Sequence, residues 1–174
     1  MQSYSFVGRL ELSQVESQSM IRVAIATLIL LSSPLVASGD IDVLFGPSPH
    51  LPEKIVETFD GAAWTLDVAI YSLDHSDVVS AIENCAKDGV RVRLILHQPN
   101  KHQKLADRLE AAGVDVRFVN VTMHHKFAIV DSTELIAGSC NWTRSAFKRY
   151  DEDLLTFKNE QPYIDAFRGE FEKL

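Results

Sequence analysis

The sequence predicts an α/β fold: a mixed, largely parallel sheet flanked by helices on both faces, in a single domain. Three observations carry this. From Asp40 onward, apolar runs of strand length alternate with amphipathic runs of helical period. Gly89 and Gly113 close two of the helical runs, as the short connections of repeated β-α-β units require. Finally, the strand-like runs 126–130 and 134–137 are separated only by residues 131–133, so part of the sheet is antiparallel.

The elements follow in order. IDVLF (41–45) is a short strand. Pro52 opens a helix through Thr58 that ends near Gly61. Residues 65–73 form a buried strand bounded by Asp74, His75 and Ser76. Residues 77–87 form a helix with Val78, Val79, Ile82 and Ala86 inward. Strand 90–96 starts with clean alternation, and an amphipathic helix covers 101–112. Strands 114–119, 126–130 and 134–137 come next. A short helix at 141–149, a strand at 154–157 and a final helix at 162–174 complete the chain.

The 174 residues, 46% of them hydrophobic, suffice for one packed domain and exclude a disordered chain. The net charge of −7 lies in the folded part, since residues from Asp40 on hold 22 acidic and 15 basic side chains. Net charge therefore does not attract nucleic acid; only a local basic patch would.

Residues 1–39 read as an extension followed by a signal peptide, and 40–174 as the working domain. Met20-Ile21-Arg22, the apolar run VAIATLILL and the small-residue end SSPLVASGD have the secretory pattern. A periplasmic or secreted location follows; the alternative is an uncleaved membrane anchor. The apolar run is short for a spanning helix, which needs about 20 residues. Cys85 and Cys140 are expected to be buried free thiols.

The stretch MHHKFAIVD (123–131) carries the chemistry. Side chains at i and i+2 of a strand share a face, so His124 and Lys126 aim together while His125 and Phe127 aim away. An imidazole is a competent nucleophile or acid–base group near neutral pH, and an ammonium beside it binds and neutralises an anion. A phosphodiester fits both properties. His102-Gln103-Lys104 repeats the spacing in a helix, where i and i+2 diverge, and reads as a solvated face. Downstream, Ser139 and Asn141 offer hydrogen bonds to a phosphate, and Asn141 stands at an expected helix start that favours an anion. Glu152, just before a strand, offers a carboxylate that holds a histidine in one tautomer. Each also has a plain structural reading, as cap, turn residue or surface charge.

HHKFAIVD, GSCNWT and YDED together resemble the phospholipase D superfamily, whose signature is H-x-K-x4-D followed by G-S-x-N. The likeness is greatest to its small single-motif members, the bacterial periplasmic endonuclease and the mitochondrial cardiolipin hydrolases. It implies a metal-independent phosphodiesterase acting through a phosphohistidine. Carried over, His124 is the nucleophile, Lys126 and Asn141 hold phosphate oxygens, Ser139 supports them, and Glu152 orients His124. Asp131 and Gly138 are structural members of the motif. The acidic Tyr150-Asp151 before Glu152 and the short loop 119–122 depart from the family pattern.

No cofactor and no metal are expected, since no Cys/His ligand set of the usual spacing is present. Phosphoryl transfer needs a nucleophile on one side of phosphorus and an acid on the other. One motif supplies one histidine, so a homodimer with a shared active site is expected; the alternative is a monomer using His97 as acid. Two substrates compete. Arg144, Lys148 and Arg149 point to an endonuclease on nucleic acid; the cardiolipin-hydrolase likeness points to a phospholipid, with membrane association if the N-terminal apolar segment is retained. A third reading is an inactive phosphate-binding module.

Overall fold

The computed structural model describes residues 39–119 and 122–174, with the side chains of residues 99 and 100 left aside. The expected export segment and the centre of the 119–122 loop lie outside the described residues. In chain order the elements are β1 (Asp40–Phe45), α1 (His50–Asp60), β2 (Thr65–Ile70), α2 (Ser76–Lys87), β3 (Arg91–His97) and α3 (Pro99–Ala111). Then come β4 (Asp115–Val119), β5 (Lys126–Val130), β6 (Glu134–Gly138), α4 (Arg144–Arg149), β7 (Asp153–Lys158) and α5 (Gln161–Phe171).

The strands form one seven-stranded sheet in the order β1-β7-β6-β5-β2-β3-β4. It is mixed and carries helices on both faces. The expected predominance of parallel pairing is corrected, however. Only β2/β3 and β3/β4 are parallel; β1/β7, β7/β6, β6/β5 and β5/β2 are antiparallel. Parallel neighbours need a long crossover, and only α2 and α3 provide one. The six-residue α4 spans about 9 Å, too little to carry the chain back along a strand, so β7 returns antiparallel to β6.

Alternation divides the core. Val68, Ile70, Ala128 and Val130 face α1, α2 and α3, where Ile55, Phe59, Ile82 and Leu109 pack. Ala69, Phe127, Ile129 and Leu135 face α5 and its Ile164 and Phe171. Phe127 meets Phe167 and Phe171 edge-on, with centroids 5.0 and 6.4 Å away. On that same face Asp67 is buried but not alone. Arg93 grips it with two 2.7 Å hydrogen bonds, reaches Glu172 at 2.8 Å, and lies over the Phe171 ring. One guanidinium thus neutralises a buried carboxylate and ties α5 to the sheet.

Two local expectations are also corrected. α4 begins at Arg144 instead of Asn141. Thr143 caps it, its hydroxyl accepting from Ala146 N, and Asp74 accepts from Arg144 N. Trp142 bridges Leu73 and donates to Ser72 O, which keeps residues 141–142 extended. His102 is buried, not solvated, because the first turn of α3 packs against the end of β2; Gln103 and Lys104 remain exposed.

Asp131 sits at the far end of β5 from His124. Its carboxylate accepts from the backbone N–H of Ala63, Trp64 and Thr65 at 2.7, 2.7 and 2.8 Å. It pins the start of β2 to the β5–β6 turn, where Asp131 and Ser132 take positive φ. Asp131→Ala therefore lowers unfolding free energy by about 2 kcal/mol, read from the urea midpoint at unchanged m-value.

Candidate active site

The strand directions bring the ends of β2, β3 and β6 and the starts of β5 and β7 to one edge of the sheet. The motif residues gather there. His124 stands exposed just ahead of β5, and Lys126 opens the strand with 7% exposure. Lys126 Nζ lies 3.0 Å from His124 Nδ1 and donates to His124 O at 2.5 Å. It also stands 5.3 Å over the Tyr71 ring. Burial pulls the Lys126 ammonium below the usual lysine range, opposed chiefly by the negative charge of Glu152. His125 turns the other way, to Glu170 at 3.4 Å and the edge of Phe127.

The Gly138–Thr143 stretch closes the second side. A side chain at Gly138 would strike Asp153 O at 2.2 Å, so only glycine lets β6 and β7 approach here. That approach places Ser139 against Glu152. The Ser139 hydroxyl donates to the Glu152 carboxylate at 2.5 Å and accepts from Asp153 N at 3.0 Å. Its one hydrogen is thus committed to a carboxylate, the stronger acceptor. Among the described residues the hydrogen bond to the His124 ring comes from Lys126, while Glu152 is held by Ser139. Asn141 flanks the site without a helix start behind it. Its Oδ1 is buried with no partner, an unmet demand in the cleft wall.

Tyr71 and the buried pair His97 and His102 also belong to this neighbourhood. Tyr71 contacts both His97 and His124. The sequence signal for Tyr71 is its place at the end of a buried strand. His97 is 8% exposed and stacks on Tyr71. Cys140 and Cys85 are free and buried; burial pushes their thiols up to about 12 and about 11. Among the described residues no group of three His, Cys, Asp or Glu side chains is placed to hold a metal ion.

Comparison with known proteins matches residues 55–174 to the family described as cardiolipin synthase, PLD-like domain. A mitochondrial cardiolipin hydrolase of Chlamydomonas reinhardtii is 31% identical over 134 residues, covering 75% of this chain and 60% of the relative. A phospholipase D of Rickettsia typhi is 28% identical, covering 75% and 66%. The chain thus spans less than two thirds of the length of these relatives. Among solved structures, Nuc of Salmonella typhimurium, a phospholipase D family member, superposes with TM-score 0.69 at 20% identity, covering 78% of this chain and 93% of Nuc. NucT of Helicobacter pylori gives 0.68 at 22% identity, covering 78% and 95%. The two structural likenesses show the fold. The match over 120 of 174 residues, on a sheet edge that unites His124, Lys126, Ser139 and Asn141, shows that this chain belongs to the phospholipase D superfamily.

Proposed function

We propose that the protein is a metal-independent phosphodiesterase that works through a phosphohistidine. The observation that carries this reading is the 3.0 Å approach of a buried ammonium to an exposed imidazole. His124 Nε2 attacks phosphorus, the N–P bond forms, and the bond to the leaving oxygen breaks. Lys126 and Asn141 take the charge that builds on the non-bridging oxygens. While Nδ1 accepts from Lys126, the ring hydrogen sits on Nε2, and that nitrogen has no lone pair free to attack. When Lys126 turns to an incoming phosphate, Nδ1 is free to hold the hydrogen and Nε2 to attack.

The leaving oxygen needs a proton from the opposite side. His97 is buried and stacked on Tyr71, so the acid is His124 of a second copy. As an imidazolium it protonates the leaving group; the neutral imidazole so formed takes a proton from the water that attacks phosphorus and breaks the N–P bond. Both copies are restored and one diester is hydrolysed.

Nucleic acid is the substrate class we favour. Of the 15 described Lys and Arg side chains, Arg91, Lys101, Lys104, Lys126, Arg144, Lys148 and Arg149 make no ion pair among the described residues, whereas the other eight do. All but Arg91 lie in the site, on α4, or on the first turns of α3 at the site edge. An acidic protein that leaves its catalytic edge cationic is suited to a polyanion. The second reading, a phospholipid, draws on apolar surface. Ile41, Val43 and Phe45 are exposed on edge strand β1, and a cavity of about 780 Å³ is lined by Pro47, Pro52, Val56 and Phe147. The cardiolipin hydrolases among the relatives point the same way.

Purified protein incubated with single-stranded DNA, RNA and cardiolipin vesicles in EDTA should cut nucleic acid, and His124→Ala should show no turnover. Cleavage of lipid alone reverses the choice of substrate; wild-type rates in His124→Ala end the mechanism. If two histidines share one site, equal mixing and re-association of wild-type and His124→Ala chains leaves about a quarter of full activity, not half, because mixed dimers are dead. The lowered Lys126 predicts a further result. The ammonium is lost as pH rises, so the alkaline limb of kcat/KM falls below the ordinary lysine range. Lys126→Arg moves that limb upward in a pH–rate profile, whatever its effect on rate.

A further inference from the structure

We infer that Tyr71 is a positioning residue for His124, held in place by a buried histidine pair that takes no part in the chemistry. The inference rests on the phosphodiesterase reading of the site and adds the device that holds the nucleophile still.

His124 needs such a device. It precedes β5, so the strand ladder does not hold it directly, and its side chain is exposed. Lys126 touches its Nδ1, but Lys126 must turn to the substrate during the reaction. Among the described residues the His124 ring also meets Tyr71, edge-on at 4.5 Å with an interplanar angle of 61°. When the lysine moves, this aromatic wall still restrains the imidazole. An exposed imidazole with free χ1 and χ2 spends little time aligned for in-line attack, and small misplacements of a reacting atom are costly.

The wall is itself braced. Tyr71 N donates to His125 O at 2.9 Å, which locks its backbone to the nucleophile's own segment. His97 stacks on the Tyr71 ring at 4.9 Å and 20°. His102 is buried nearby, its imidazole lowered chiefly by burial and raised by the Tyr71 backbone. His97 and His102 are both 8% exposed, and His97 Nδ1 is buried without a partner. A flat ring of this size at position 97 is what the tyrosine requires, and burial keeps it away from substrate. The order His97, Tyr71, His124 is therefore brace, wall and nucleophile.

The test measures the wild type, Tyr71→Leu, Tyr71→Phe, His97→Ala and His97→Phe with bis(p-nitrophenyl) phosphate. It also records the imidazole ¹H–¹⁵N spectrum of His124 in each. Tyr71→Leu should lower kcat about 10- to 100-fold with KM nearly unchanged, and should broaden or split the His124 resonances. Tyr71→Phe should keep both kcat and the single resonance, because the ring and not the hydroxyl makes the wall. His97→Ala should give a smaller loss that His97→Phe recovers; this pair keeps the test decisive if Tyr71→Leu does not fold. Equal kcat and equal spectra across the series would overturn the inference, as would a loss in Tyr71→Phe as deep as in Tyr71→Leu. A wild type with no diesterase activity would remove the functional reading instead, and the His124 spectra would still decide the positioning.

Discussion

An ammonium with 7% exposure at the head of a central strand dictates what can surround it. Burial of an unpaired charge is expensive, and Lys126 has no carboxylate within ion-pair distance among the described residues. It is sustained by a backbone carbonyl, an imidazole nitrogen and an aromatic face, all neutral groups. Glu152 acts on it only through its field, because Ser139 holds that carboxylate. The result is a cation that is desolvated but not neutralised, so the full attraction remains for an anion that enters. A direct Lys126–Glu152 pair would be the more stable arrangement and the poorer binding site.

This constraint runs outward through the fold. Glu152 is kept off Lys126 because Ser139 intervenes, and Ser139 is there because β6 and β7 touch at Gly138. The Tyr71 face is available because β2 ends at Ile70 and the chain then runs antiparallel beside His125. That antiparallel neighbour is the pairing of β2 with β5 in the sheet centre. A wholly parallel sheet would place the start of β5 at the other edge, away from the ends of β2 and β6. The mixed topology is therefore a condition for this site.

What could be read in advance follows period and spacing. The i, i+2 rule alone places His124 beside Lys126 and sends His125 to the α5 face, as the 3.0 and 3.4 Å contacts display. Alternating elements disclose the layers, but not which strands pair, since pairing depends on whether a connection is long enough to cross the sheet. α4 looks like a helix from Asn141, and only the tertiary tie of Trp142 to Ser72 and Leu73 delays it to Arg144. His102 looks like a solvated helix residue because its neighbours Lys101, Gln103 and Lys104 are polar; its burial depends on where β2 stops. Ser139 has the right chemistry for phosphate, and nothing in its spacing says that Glu152 will claim its hydrogen.

The distribution of charge has the same logic as the buried lysine. Among the described residues just over half of the cations are matched locally: Arg93 has Asp67 and Glu172, Arg108 has Glu83, and Lys158 has Glu134. Exposed pairs such as Lys158–Glu134 add little stability, so their main effect is to cancel field at long range. Where cancellation stops, at α4 and the first turns of α3, positive field remains at the edge that carries His124; Arg91, at the far end of β3, is the exception. Asp74 and Asp77 temper it near His75, where burial is the larger influence and lowers the imidazole. A net charge of −7 is then no argument against a polyanion. Such a charge would repel a polyanion from most of the surface and leave the edge with the desolvated Lys126 ammonium as the attractive approach.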